Sequence, residues 1–126
     1  MGDFKQLNKT ILVTEDQESN FQLLEVLLEM WGIKTLRAIN GQEAVDYCKQ
    51  NKEIDLVLMD IRLPDFNGLE ATKQIKKIRP ELPIVAQTAY AIIGDKEKAM
   101  KAGCDGYITK PIRKEKLFEL LNQFLG

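Results

Sequence analysis

Short apolar runs recur five times along the chain, each followed by a stretch in which apolar residues return every third or fourth position. The runs are TILVT (Thr10–Thr14), KTLRA (Lys34–Ala38), IDLVLMD (Ile54–Asp60), PIVAQT (Pro83–Thr88) and GYIT (Gly106–Thr109). Their length and β-branched content predict strands. The third, with LVLM uninterrupted before its final acid, predicts a strand buried on both faces. The intervening segments have helical period. ESNFQLLEVLLEMWG sets Phe21, Leu24, Leu28 and Trp31 on one face, with Gly32 as a stop. GQEAVDYCKQN turns Ala44, Val45 and Cys48 inward, and NGLEATKQIKKIRP carries Leu69, Thr72 and Ile75 until Pro80 closes it. GDKEKAMKAG offers Ala99 and Met100, and KEKLFELLNQFLG offers Leu117, Leu120, Leu121 and Phe124.

No linker, repeat or low-complexity tract interrupts this order, so residues 1–126 read as one α/β domain, (βα) five times, with a core over about 9–125. Strict alternation with short connections predicts a parallel, doubly wound sheet with right-handed crossovers and helices on both faces. Ligands of such sheets bind beyond the carboxyl ends of the strands, where the strand order reverses. The polar residues at those ends are Glu15 and Asp16, then Asp60, Thr88 and Lys110. An acid after a strand is often only a helix cap, and Asp16 fits that role too. Five polar groups converging on one sheet edge imply a site.

Composition narrows the chemistry. The chain has 126 residues, 44% hydrophobic and 29% charged, enough for one sizeable core and typical of a folded domain. A net charge of −1 gives no general attraction to nucleic acid. The charge is uneven, at −5 over residues 1–69 and +4 over 70–126, which reads as solvated helix faces. No apolar run approaches the roughly 18 residues of a membrane span, and no leader pattern opens the sequence. MGDFKQ begins like an acylation signal but has Gln6 where Ser or Thr is needed. Cys48 and Cys104 stand far apart and read as reduced thiols in a cytoplasmic protein. The chain has no histidine, which removes His-based zinc sites and Ser-His or Cys-His catalysis.

Carboxylates, hydroxyls and lysine therefore carry any chemistry. Two carboxylates about 4 Å apart repel by about 4 kcal/mol at an effective dielectric of roughly 20, so three need cations. Lys110 supplies one positive charge, and a divalent ion would bring the sum to zero. All-oxygen ligands favour a hard ion such as magnesium over zinc. Binding of the ion is expected to register in Trp31 or Tyr107.

With the acidic pair Glu15-Asp16, LVLMDIRLPDFNG around Asp60, TAYA from Thr88 and GYITKPI from Gly106, the chain resembles the receiver domain of two-component response regulators over essentially its whole length. VAQTAYA and AGCDGYITKPI are similar to receivers attached to hybrid sensor histidine kinases. The resemblance implies a flavodoxin-like (βα)5 fold with strand order 2-1-3-4-5. It implies Asp60 as phosphoacceptor, taking the group from a phosphohistidine of a sensor kinase or histidine phosphotransfer protein. Asp16, Asp60 and the backbone carbonyl of Arg62 would hold magnesium, with Glu15 helping through water. Lys110 would pair with a phosphoryl oxygen. Thr88 would be the switch hydroxyl, Tyr107 the aromatic that turns inward, and the Lys110–Pro111 bond cis. Ala89 would leave the attack path open. The moving face would be the fourth helix, fifth strand and fifth helix, with Ile92 and Ile93 beside Tyr107, and a weak homodimer could form through it. The protein would catalyse only its own phosphorylation and slow dephosphorylation, without contacting nucleic acid or entering a membrane.

Three positions depart from the common receiver pattern. Gln87 stands where an apolar residue usually precedes the switch threonine, so it needs a hydrogen-bond partner. Arg62 occupies a variable site that tunes loss of the phosphoryl group, and Gln17 replaces the usual Asn or Asp. Other readings fit less well. A magnesium-dependent phosphatase of the haloacid dehalogenase type wants a second Asp where Arg62 stands. A flavodoxin-like electron carrier wants a phosphate loop where this chain has the acidic TEDQES. A binding-only, never phosphorylated receiver would not need all five site groups.

Overall fold

The computed structural model describes residues 6–61, 68–88 and 94–126. Within them, β1 (Thr10–Thr14), β2 (Lys34–Ala38), β3 (Leu56–Asp60), β4 (Ile84–Thr88) and β5 (Gly106–Thr109) form one parallel sheet in the order β2-β1-β3-β4-β5. The helices α1 (Glu18–Met30), α2 (Gly41–Gln50), α3 (Gly68–Ile78), α4 (Asp95–Ala102) and α5 (Lys114–Leu125) alternate with the strands. The order reverses between β1 and β3, and that gap opens the crevice expected of a doubly wound sheet.

Strand alternation divides the core in two. Leu12, Val57, Met59, Ile84 and Ala86 face α2, α3 and α4, where they meet Val45, Cys48, Ala71, Ile75 and Ala99. Ile11, Val13, Leu56, Leu58, Val85 and Ile108 face α1 and α5, against Leu24, Leu28, Leu117 and Leu121. β3 and β4 are buried at every position, as their near-continuous apolar runs require.

Two predicted strands begin late. Ile54 is fully buried, but its N–H donates back to Asn51 O in a turn, and the ladder starts at Leu56. Pro83 has no N–H to give; its carbonyl accepts from Val57 N at 3.0 Å, and β4 starts at Ile84. Met100 is 44% exposed rather than part of the core. α4 packs instead through Ala99 and Ala102, three residues apart on one face, which turns position 100 outward.

Local chemistry fixes the ends. α1 stops where Gly32 takes a left-handed φ of 72°. At α2, the Asn40 side chain accepts from Glu43 N at 2.8 Å, while Glu43 Oε1 accepts from Ile39 N at 3.0 Å. α3 begins in close contact with the end of β3: Gly68 N–H donates to Ile61 O at 2.9 Å. A methyl group on Gly68 would overlap the Asp60 carbonyl oxygen and lie 2.7 Å from Ile61 Cα.

Cys48 and Cys104 are both buried and unpaired to each other. Burial pushes each thiol up to about 11, partly offset by Arg79 for Cys48 and by the Thr72 hydroxyl for Cys104. The unfolded chain then releases these protons before the folded one does.

Gly68→Ala should cost about 1–3 kcal/mol in urea unfolding, because the backbone of β3 cannot yield to the added carbon; an unchanged midpoint would contradict the close approach. Folding stability should fall as pH rises from about 9 to about 11, and a Cys48→Ala, Cys104→Ala variant should show a shallower decline in thermal melts over that range.

Candidate phosphoacceptor site

The site forms where the carboxyl ends of β1, β3 and β5 meet. Glu15 follows β1 directly, its N–H donating to Ala38 O at 2.9 Å. Its carboxylate is held at both oxygens: Oε2 accepts from Gln17 N at 3.2 Å and Oε1 from Lys110 Nζ at 2.8 Å. Lys110 Nζ also donates to Asp60 Oδ2 at 3.2 Å. Glu15 is 1% exposed and Asp60 6%, so one ammonium serves two buried carboxylates. Burial works against the Lys110 ammonium, but the hydrogen bond to Glu15 and the charges of Asp60 and Glu15 outweigh it, raising its pKa above the usual lysine value. Lys110 is therefore charged throughout the neutral range.

Asp16 completes the cluster. Glu15, Asp16 and Asp60 each offer a carboxylate oxygen, all within 4.8 Å of one another. Asp16 is exposed and does not cap α1: the N-cap residue is Gln17, without a side-chain cap bond. Its carboxylate is left to the site. The three acids and Lys110 sum to −2, an all-oxygen, electronegative cradle that fits a hard divalent cation. The backbone carbonyl of Arg62, expected to join it, lies outside the described residues, as do Ala89, Ile92 and Ile93.

Thr88 ends β4 and is fully buried; its carbonyl accepts from Lys110 N at 2.7 Å, which ties the lysine to the neighbouring strand. Tyr107 lies two residues before the end of β5, in register with Ala86, half-buried against the α4 side of the core. Partial burial, then the charge of Asp95, raises its pKa. The Lys110–Pro111 bond is cis. Trp31 cannot report on the site. It caps the far end of α1, just before β2 begins, and packs on Phe118 at 5.1 Å, at the opposite end of the sheet from the acids.

Sequence reasoning missed two residues. Arg37 of β2 donates from Nε to Glu15 O and from Nη2 to Asp16 O, both at 3.2 Å, with its guanidinium 5.2 Å over the Phe21 ring. It holds the loop bearing both acids. An arginine inside KTLRA gave no local sign of this. Gly68 allows α3 to start against the Asp60 carbonyl, and the Asn67-Gly68 pair in the sequence, whose glycine opens α3, was the one available hint. Gln87, expected to need a partner, has none among the described residues for either side-chain atom.

Comparison with known proteins agrees with this architecture. A family profile described as the response regulator receiver domain matches residues 11–122. The polar-differentiation response regulator DivK of Brucella anthropi is 40% identical over 121 residues, covering 94% of this chain and 97% of its own. The crystal structure of a sensor histidine kinase receiver domain from Pseudomonas aeruginosa, with a magnesium ion coordinated in its active-site cleft, superposes with a TM-score of 0.87 at 32% identity over 94% of this chain and 98% of that one. A CheY-like receiver domain protein of Methanospirillum hungatei gives a TM-score of 0.86 at 30% identity, covering 93% of each chain. The strand order, the acidic cluster with its shared lysine and the match over residues 11–122 place this chain in the response regulator receiver domain family of two-component systems.

Proposed function

We propose that Asp60 is the phosphoacceptor and that the acidic cradle holds magnesium while the phosphoryl group arrives from a phosphohistidine. The observation that carries this reading is the single Lys110 ammonium shared by Glu15 and Asp60, with Asp16 alongside. An Asp60 carboxylate oxygen attacks phosphorus as the N–P bond of the donor imidazole breaks, and the imidazole leaves with the bonding pair. Such transfers need in-line positioning and neutralised equatorial oxygens more than covalent help. Asp16, Asp60 and the backbone carbonyl of Arg62, with Glu15 reaching through water, are the groups that would hold magnesium. When bound, the ion supplies charge neutralisation to the transferring group. Lys110 supplies the other positive charge and orients Asp60 through its hydrogen bond to Oδ2. The absence of histidine fits a chain that receives the group from a partner, either a sensor histidine kinase or a histidine phosphotransfer protein.

The charge change provides the signal. With magnesium bound to balance the pocket, an aspartyl phosphate takes it to roughly −1, since a phosphoryl group carries about −1.5 to −2. The Thr88 hydroxyl answers part of that surplus. One hydrogen bond to a charged group contributes roughly 1.5–3 kcal/mol, whereas moving a population from 1:99 to 99:1 needs about 5.5 kcal/mol. Thr88 therefore acts with other contacts, Tyr107 among them, and the responding surface is α4, β5 and α5. That face also suits a weak homodimer. The chain turns over no substrate beyond its own phosphorylation and dephosphorylation. No described helix is long and apolar enough to cross a membrane, in keeping with a cytoplasmic receiver. Likeness to a histidine kinase's own receiver supports a place in, or beside, a hybrid kinase.

Incubation with magnesium and a small acyl-phosphate donor should add one phosphoryl mass, abolished in Asp60→Asn and by chelation of the metal. Sustained release of phosphate from phosphate esters would point to a phosphatase instead. Thr88→Ala should still accept the group but leave the β5 amide resonances near their unmodified positions; a full shift in that variant would remove Thr88 from the switch.

A further inference from the structure

We infer that Gln87 is a positioning residue for the phosphorylated site, its carboxamide bridging Glu15 and Lys110 once the Lys110 ammonium turns toward a phosphoryl oxygen on Asp60. The inference rests on the reading of Asp60 as phosphoacceptor and assigns a further part to the same site.

Gln87 lies directly beside Asp60 in the sheet register, one strand over. Adjacent strands are about 4.8 Å apart, so the two side chains leave the sheet as neighbours. Alternation sends Gln87 to the α1–α5 side with Val85. There it lines a cavity of about 130 Å³ together with Glu15, Lys110, Asn20, Leu24 and Pro111. It is fully buried, and neither Oε1 nor Nε2 has a hydrogen-bond partner among the described residues. A buried amide with both ends unmatched is costly, and on a central strand an apolar residue would avoid that cost. The expense is explained if the partners come later.

The site's own charges show how. In the unmodified protein Lys110 Nζ spends two of its three N–H groups on Glu15 and Asp60. A phosphoryl group draws the ammonium toward itself. Glu15, 1% exposed, then loses its direct contact with the ammonium where bulk water cannot replace it. A carboxamide is the neutral group that both donates and accepts. Nε2–H serves the Glu15 carboxylate, and Oε1 accepts an N–H from Lys110. A carboxylate at this position would repel Glu15, and an ammonium would repel Lys110. No covalent bond changes; only hydrogen bonds are exchanged.

Gln87→Met keeps length and bulk while deleting both polar atoms, so it separates the two states. The unmodified variant should melt higher than wild type, because the unmatched groups are gone, while the lifetime of its phosphorylated form should fall by more than about tenfold, since two hydrogen bonds to charged groups are lost. In wild type, the Gln87 side-chain amide resonances should move downfield on saturation with magnesium and beryllofluoride, a phosphoryl analogue. An unchanged lifetime in the variant, or Gln87 amide signals that stay in place in wild type, would overturn the inference; the wild-type spectra decide it even if the variant does not fold. Wild type that accepts no phosphoryl group would overturn the phosphoacceptor reading together with this one, whereas normal phosphorylation with an indifferent Gln87 would overturn this one alone.

Discussion

One ammonium set between two buried carboxylates governs the architecture of this site. Lys110 Nζ lies 2.8 Å from Glu15 and 3.2 Å from Asp60, and neither acid has enough exposure to be solvated by bulk water. At an effective dielectric of roughly 20, two carboxylates about 4 Å apart repel by about 4 kcal/mol, so the cation must arrive for the acids to share the crevice. Glu15 and Asp60 are brought together because β1 pairs directly with β3. Lys110 arrives from two strands further along, directly after β5, and its N–H bond to Thr88 O fixes the last step.

The rest of the fold makes that arrangement rigid. β3 and β4 are buried at every position, with helices on both faces, so the carboxyl ends of the central strands have little freedom. Arg37 restrains the β1–α1 loop through the Glu15 and Asp16 carbonyls, and the glycine at 68 lets α3 begin against the Asp60 backbone. Asp16 stays exposed, where a metal and its waters can reach it. Among the described residues, the balance of two buried acids, one exposed acid and one cation leaves the cradle short by two positive charges. That deficit matches a divalent ion, and an incoming phosphoryl group renews it.

Against such consistency, Gln87 stands out as a local conflict. Every other residue of β4 obeys the rule that a central strand of a parallel sheet be apolar or, like Thr88, polar at its tip. Conflicts of that kind concentrate where a chain sacrifices stability for function. Its place beside Asp60, in a cavity shared with Glu15 and Lys110, ties the conflict to the site's charges.

Periodicity and punctuation in the sequence determined the order of elements, the limits of β1, β2 and β5, the two-sided burial of β3, and the set Glu15, Asp16, Asp60, Thr88 and Lys110 at the strand ends. These are local properties: alternation of two, alternation of 3.6, and an acid or lysine where a run stops. Resemblance added the strand order. Only the tertiary structure decided which groups touch. It showed that Asp16 faces the cluster instead of capping α1, that Met100 points outward, that Trp31 lies at the wrong end to report on metal, that Arg37 clamps the acidic loop, and that Gln87 has no partner among the described residues. Each depends on residues distant in sequence meeting across strands or helices, and no local pattern encodes the distance between them.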